Sequence, residues 1–191
     1  MSINKLIVAV TGTPGTGKSL FAKQLAGKAR HARVIEINDI VKENRLYSST
    51  DRFGSKIVKM GALNISLKRE IRDSSGLVLV VGHLVPELSV GQRITVVLRL
   101  KLKHLIRRLH RRGYPKEKIK ENVIAEALDY CGIGVAGRCA EVYEAESGRD
   151  RKALMEYVLA EYDGTRRSKP KTRSISKMGE LLRLIRGGYS L

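Results

Sequence analysis

Eight residues near the start of the chain, Gly12-Thr13-Pro14-Gly15-Thr16-Gly17-Lys18-Ser19, match the spacing G-x-x-x-x-G-K-[ST]. Chemistry is built into that order. The glycines let the backbone turn tightly, so that successive N–H groups face one point and form an anion nest. A helix starting near Lys18 adds its positive end. Lys18 brings a point charge to the outer phosphates, and Ser19 an oxygen for Mg²⁺. The expectation is a site for ATP with Mg²⁺, lined by Gly12, Thr13, Pro14, Gly15, Thr16, Gly17, Lys18 and Ser19.

Other residues have types and positions suited to the same chemistry. His83 stands just past an apolar run, Leu77–Val81, in the crevice where open α/β sheets bind ligands. A lone histidine also has a purely structural reading. Arg108 and Arg112 are four apart and share one helix face. From spacing alone they read as part of a solvated basic face. Asp39 is an acid at a helix start, a cap or a contact. Arg149, in Ser147-Gly148-Arg149-Asp150, is placed to stack on a base or to sit in a plain turn.

The elements that must position these residues alternate. Leu6–Val10, Val34–Ile37, Leu77–Val81, Ile94–Leu98 and Glu141–Ala145 read as strands, apolar enough for a buried parallel sheet. Lys18–Lys28 reads as a helix with Leu20, Phe21 and Leu25 inward. Asp39 starts a short helix to about Tyr47. Residues 48–54 read as a polar loop, and Ser55–Arg72 as a helix with Ile57, Val58, Leu63, Ile65 and Leu67 inward. Lys101–Arg112 has a core stripe of Leu102, Leu105, Ile106 and Leu109. Pro115 opens a helix to about Tyr130, and Arg151–Tyr162 is a last regular helix. Five strands alternating with helices predict an α/β fold, a parallel sheet flanked by helices in the manner of P-loop kinases. Residues 1–162 form that domain in this reading. Residues 163–191 form a basic tail, with Met178–Arg186 as a short amphipathic helix.

Composition sets bounds. The chain has 191 residues, 42% of them hydrophobic and 29% charged, which suits one globular domain. No apolar run reaches membrane-spanning length. Cys131 and Cys139 are too few for a disulfide framework or a four-cysteine zinc site. A cytoplasmic, reduced protein is expected. The net charge is +18, and it is clustered. Residues 99–120 hold ten Lys/Arg against one acid, and residues 163–191 hold eight against two. Such surfaces attract polyanions. The base-reading N-K-x-D of GTPases is absent, and the length is short for a motor ATPase. A nucleotide or small-metabolite kinase fits.

From about Leu6 to Leu159 the chain resembles the divergent adenylate kinases of archaea and the eukaryotic nucleus, the adenylate kinase isoenzyme six or coilin-interacting nuclear ATPase family. The likeness rests on TGTPGTGKS at 11–19, INDIVKENRLY at 37–47, GH at 82–83, VVLRL at 96–100, RLHRRGY at 108–114 and ENVIAEAL at 121–128. The resemblance implies phosphate transfer between ATP and AMP, ATP hydrolysis, and service in small-ribosomal-subunit assembly and late rRNA processing. Its implied partners are a platform ribosomal protein and rRNA, and a monomer is expected. It assigns Asp39 to the AMP-binding arm, Lys18, His83, Arg108 and Arg112 to catalysis, and Asn122 and Glu126 to bracing the lid. One departure stands out. The family's third strand ends in an acid that orients the Mg²⁺ shell; here that position is Val81. Glu87 and Asp39 are the substitutes considered. A nucleotide-switched assembly factor with weak chemistry, and a shikimate- or dephospho-coenzyme A-type kinase, remain as alternatives.

Overall fold

The computed structural model describes residues 5–51, 54, 56–165, 167–170 and 176–187. Its centre is a five-stranded parallel sheet in the order β2-β5-β1-β6-β7. The strands are β1 (Leu6–Thr11), β2 (Ala32–Glu36), β5 (Leu77–Val81), β6 (Ile94–Leu98) and β7 (Glu141–Ala145). β5 and β6 are buried along their whole length, as a sheet covered on both faces requires. Four strands lie where they are predicted, to within a residue; the second starts two residues earlier, at Ala32, and ends at Glu36, so Ile37 opens α2.

Helices α1 (Lys18–Ala26) and α7 (Gly148–Asp163) belong to one face. There Phe21, Leu25, Leu154 and Tyr157 pack on Val8, Val10, Leu79 and Val96. The other face carries α2 (Ile37–Glu43) and α3 (Met60–Arg72), with Ile40, Leu63 and Leu67 on Ala9, Val78 and Val80. A third core joins α4 (Leu102–Arg111) to α5 (Lys116–Ala127) through Leu102, Leu105, Leu109, Ile119 and Val123.

Several local expectations change. Residues 47–58 hold an antiparallel hairpin, β3 (Tyr47–Thr50) with β4 (Lys56–Val58), so helix α3 begins only at Met60. Ile57 and Val58 therefore belong to a strand. Ile57, Ile65 and Leu20 are exposed rather than inward. The cap position of α2 is Glu36, and no side chain caps it; Asp39 lies in the first turn. The helix expected to reach Tyr130 ends at Ala127. Asp129, at φ 55°, turns the chain and caps a short α6 (Tyr130–Val135) by accepting from the Gly132 N–H.

The second half of the segment read as a separate tail joins this domain. Helix α8 (Met178–Arg186) buries Leu181 and Leu184 in the third core. Glu180 Oε1 accepts from the Leu102 N–H at 2.9 Å. One of the free donors at the start of α4 is thereby satisfied from the far end of the chain. Lys177, buried before α8, pairs with Glu146. Among the described residues no helix is long and apolar enough to cross a membrane.

Candidate active site

The phosphate loop joins β1 to α1. Gly12, Gly15 and Gly17 have φ of 137°, 95° and 99°, a region that L side chains rarely occupy. At Gly12 space adds a second constraint, because a Cβ there would lie 2.3 Å from the Leu98 carbonyl oxygen. The loop therefore needs glycine in order to pass beside the end of β6.

The loop is held from beneath. Thr13 Oγ1 donates to Glu126 Oε2 at 2.6 Å, and Thr16 Oγ1 donates to the Thr13 carbonyl at 2.9 Å. Glu126 Oε1 in turn accepts from Arg99 Nε at 3.0 Å and from the Leu100 N–H at 3.1 Å. Arg99 also donates to the Glu126 carbonyl, pairs with Asp129, and lies 3.7 Å from Glu144. Arg99 and Glu126 are 1% and 2% exposed. Two charges this deep are tolerable only when each satisfies the other. Glu126 thus braces the phosphate loop, where the resemblance implied bracing of the lid.

From above, Arg108 Nη1 donates to the Gly15 carbonyl at 3.1 Å, and Arg151 Nη2 to the Thr16 carbonyl at 3.0 Å. Lys18 Nζ donates to the Gly12 and Thr13 carbonyls at 2.8 and 3.1 Å. Burial of the ammonium holds its pKa down at about 8, against the smaller opposing pull of nearby acids that include Glu36. This is an ammonium short of a strong anionic partner, in a cradle of backbone N–H groups. That combination fits the triphosphate of ATP. Ser19, exposed at the start of α1, lines the same cavity. No cluster of three or more metal-ligating side chains exists among the described residues.

Two cavities meet at the loop. The phosphate cavity, about 480 Å³, is lined by Gly15, Gly17, Lys18, Ser19, Glu36, Arg108, Arg111 and Arg112. The second, about 780 Å³, runs beneath the β3–β4 hairpin, with Val41, Lys42, Val58, Lys118, Glu121, Asn122 and Tyr130 in its walls. Pro14, Asn38, His83 and Tyr114 line both. Sequence reasoning reached Lys18, Ser19, His83, Arg108 and Arg112, and these do come together. Asp39 is exposed and lines neither cavity, whereas its neighbour Asn38 lines both. Arg149 is exposed in the first turn of α7, behind the Ser147–Asp150 capping box. Arg99, Arg151, Glu36 and Tyr114 were missed. Of these only Arg99 and Tyr114 fell inside quoted motifs, VVLRL and RLHRRGY, and neither was singled out there.

His83 is held neutral. Burial pushes its pKa down to about 4, helped by the positive charges of Lys18 and Lys118. Between about pH 4 and the unfolded value near 6.5, the unfolded chain binds more protons than the folded one. Stability therefore falls as pH drops through that window. Urea midpoints at pH 7 and pH 5 should show this loss in the parent and a smaller one in His83→Asn. An equal loss in both would mean that His83 is not the group responsible.

A family described as AAA domain matches residues 8–129. The chain belongs to the AAA-domain family. Archaeal proteins carrying the name "Putative adenylate kinase" are similar to this AAA-domain chain. The one from Methanosarcina barkeri is 35% identical over 141 residues, covering 73% of this chain and 75% of the relative. That from Methanocaldococcus jannaschii is 30% identical, covering 80% and 83%. Among solved structures, shikimate kinase from Acinetobacter baumannii in complex with shikimate superposes with a TM-score of 0.59 at 15% identity, covering 85% of this chain and 95% of that one. Shikimate kinase from Bacteroides thetaiotaomicron gives 0.56 at 17%, covering 83% and 98%. Likeness at these identities concerns the fold, a P-loop kinase fold.

Proposed function

We propose that this protein transfers the terminal phosphoryl group of ATP to AMP, giving two ADP, with hydrolysis of ATP as a side activity. The observation that carries the reading is the meeting of two cavities at His83, Asn38, Pro14 and Tyr114. One has the chemistry of a triphosphate site, and the other has the size and mixed lining of an acceptor site. The archaeal relatives' name supports the choice of AMP.

In this reading an AMP phosphate oxygen attacks the γ-phosphorus, and the bond to the β–γ bridging oxygen breaks. The loop N–H groups and Lys18 hold the β- and γ-phosphates. Arg108 and Arg112 approach from α4 and neutralise charge on the moving group. Mg²⁺, held by Ser19, supplies further neutralisation when bound. His83, uncharged, stands between donor and acceptor as a hydrogen-bonding group. By the resemblance Arg149 belongs to the ATP base side and Asp39 to the AMP arm, where Asn38 is the residue of α2 that lines both cavities. The likeness to the archaeal and nuclear isoenzyme six family extends the proposal to a monomer.

The test is ADP formation from ATP–Mg²⁺ with and without AMP, with phosphate release measured in parallel. Two ADP per ATP, dependent on AMP and without phosphate, is expected. ADP matched by phosphate and indifferent to AMP would leave only the ATPase. Shikimate in place of AMP tests the metabolite-kinase alternative.

A second reading, a nucleotide-switched factor in small-subunit assembly, is favoured by charge. The net charge is +18, and Lys101, Lys103, Arg107 and Arg111 are exposed together on and beside α4. Binding to small-subunit rRNA that weakens steeply with salt, and capture of a platform ribosomal protein, would support it.

A further inference from the structure

Strand β5 ends in Val81 and brings no acid to the phosphate cavity. The neighbouring strand carries one instead. β2 and β5 are parallel, and Glu36 is the register partner of Val81. Side chains alternate along a strand, and partners in register share a face. Val81 lies on the face covered by α1 and α7, as does Val34, two residues before Glu36. Glu36 is therefore the next position on that face, at its open end. Helix α1 begins there, with Lys18 and Ser19. Glu36, Lys18, Ser19 and His83 all line the phosphate cavity.

The backbone fixes this placement. Ile37 lies directly over Gly82, where an added Cβ would come within 2.7 Å of Ile37 Cδ1. The end of β2 is thus pressed against the end of β5. The alternative acids are elsewhere. Glu87 accepts from Tyr130 OH at 3.0 Å and lines the acceptor cavity. Asp39 is exposed.

We propose that Glu36 is the positioning carboxylate of the Mg²⁺–nucleotide site and takes the role for which Val81 is unsuited. The proposal rests on the nucleotide reading above. Adjacent strands are about 4.8 Å apart, so a carboxylate on β2 starts farther from Ser19 than one on β5. Glutamate recovers part of that distance with its extra methylene. The waters that Mg²⁺ retains span the remainder. Glu36 would act on those waters, orienting the cation against Ser19 and the phosphates.

The experiment uses the full chain, Mn²⁺ and the non-hydrolysable adenosine 5′-(β,γ-imido)triphosphate. Mn²⁺ affinity for the protein–nucleotide complex is read by electron paramagnetic resonance, and nucleotide affinity in EDTA by calorimetry. Glu36→Gln should keep or slightly improve metal-free nucleotide affinity, because a negative charge is removed. Its Mn²⁺ affinity should fall roughly 10- to 100-fold, the usual effect of losing an outer-shell partner. Adding Val81→Asp to Glu36→Gln should restore part of it. A merely structural Glu36 would leave Mn²⁺ affinity unchanged, and that result overturns the proposal. Should Glu36→Gln fail to fold, Glu36→Asp decides the question. A several-fold loss supports the assignment, and parental Mn²⁺ affinity refutes it. Failure of the parent to bind nucleotide with or without metal is a different result, and it would refute the phosphate site itself.

Discussion

Lys18→Ala is expected to remove at least ~10²–10³-fold of kcat/KM for ATP-dependent phosphoryl transfer, the scale for losing one preorganised charged donor. The nucleotide-free variant should be as stable as the parent or more so. The ammonium is buried and rests on two carbonyls, and burial holds its pKa down at about 8. A charge in that setting opposes folding until phosphate arrives. Activity and stability should therefore move in opposite directions, a signature of a group kept for binding. Steady-state kinetics and thermal melts with and without ATP–Mg²⁺ check both halves. Parental turnover by the variant would refute the nucleotide site.

Glu126→Ala should be the most damaging single change away from the phosphates. It leaves Arg99 buried with its main partner gone and strips Thr13 of its acceptor. Breaking one side of a buried pair costs about 3 kcal/mol or more. For a chain of this size that is a fall in Tm of roughly 6–12 °C. Asp129 and Glu144 also face Arg99 and keep the loss from being larger. Nucleotide affinity should fall too, because the loop rests on this pair. Glu126→Gln, which keeps the shape and one acceptor, should lose less of both. A melt within 2 °C of the parent for Glu126→Ala would show that the neighbouring acids carry Arg99 unaided.

The contrast between these residues explains what could be read in advance. Lys18 stands in a motif whose spacing is itself the mechanism, so its role was visible in eight letters. The three central strands β1, β5 and β6 were visible for a related reason: strands buried on both faces must be continuous apolar runs. Residues 56–58 were misread because Ile57 and Val58 continue, by chance, the spacing of Leu63 and Leu67. Two β-branched residues in a row suit a strand equally well. Glu126 is paired by the resemblance with Asn122, yet its partner Arg99 lies just past the end of β6, and Asn122 bonds the Lys118 carbonyl instead. Arg151, some 130 positions from the loop that it contacts, belongs to no local pattern. Glu36 became interesting only once the register set it beside Val81. Pairing across a parallel sheet is set by crossovers and tertiary packing, which local spacing does not encode.

Helix α8 changes the meaning of the basic segment before it. Residues 164–177 run from the end of α7 to Lys177, which meets Glu146, and on the way Arg167 and Lys169 pair with Glu156 and Glu141 of the domain. Fourteen residues fully stretched span at most about 50 Å, and here both ends are moored. Its described cations Arg167, Lys169 and Lys177 each face an acid of the domain. A polyanion that pulled Lys177 away would have to lift Leu181 and Leu184 from their core and take Glu180 from α4, the helix that carries Arg108.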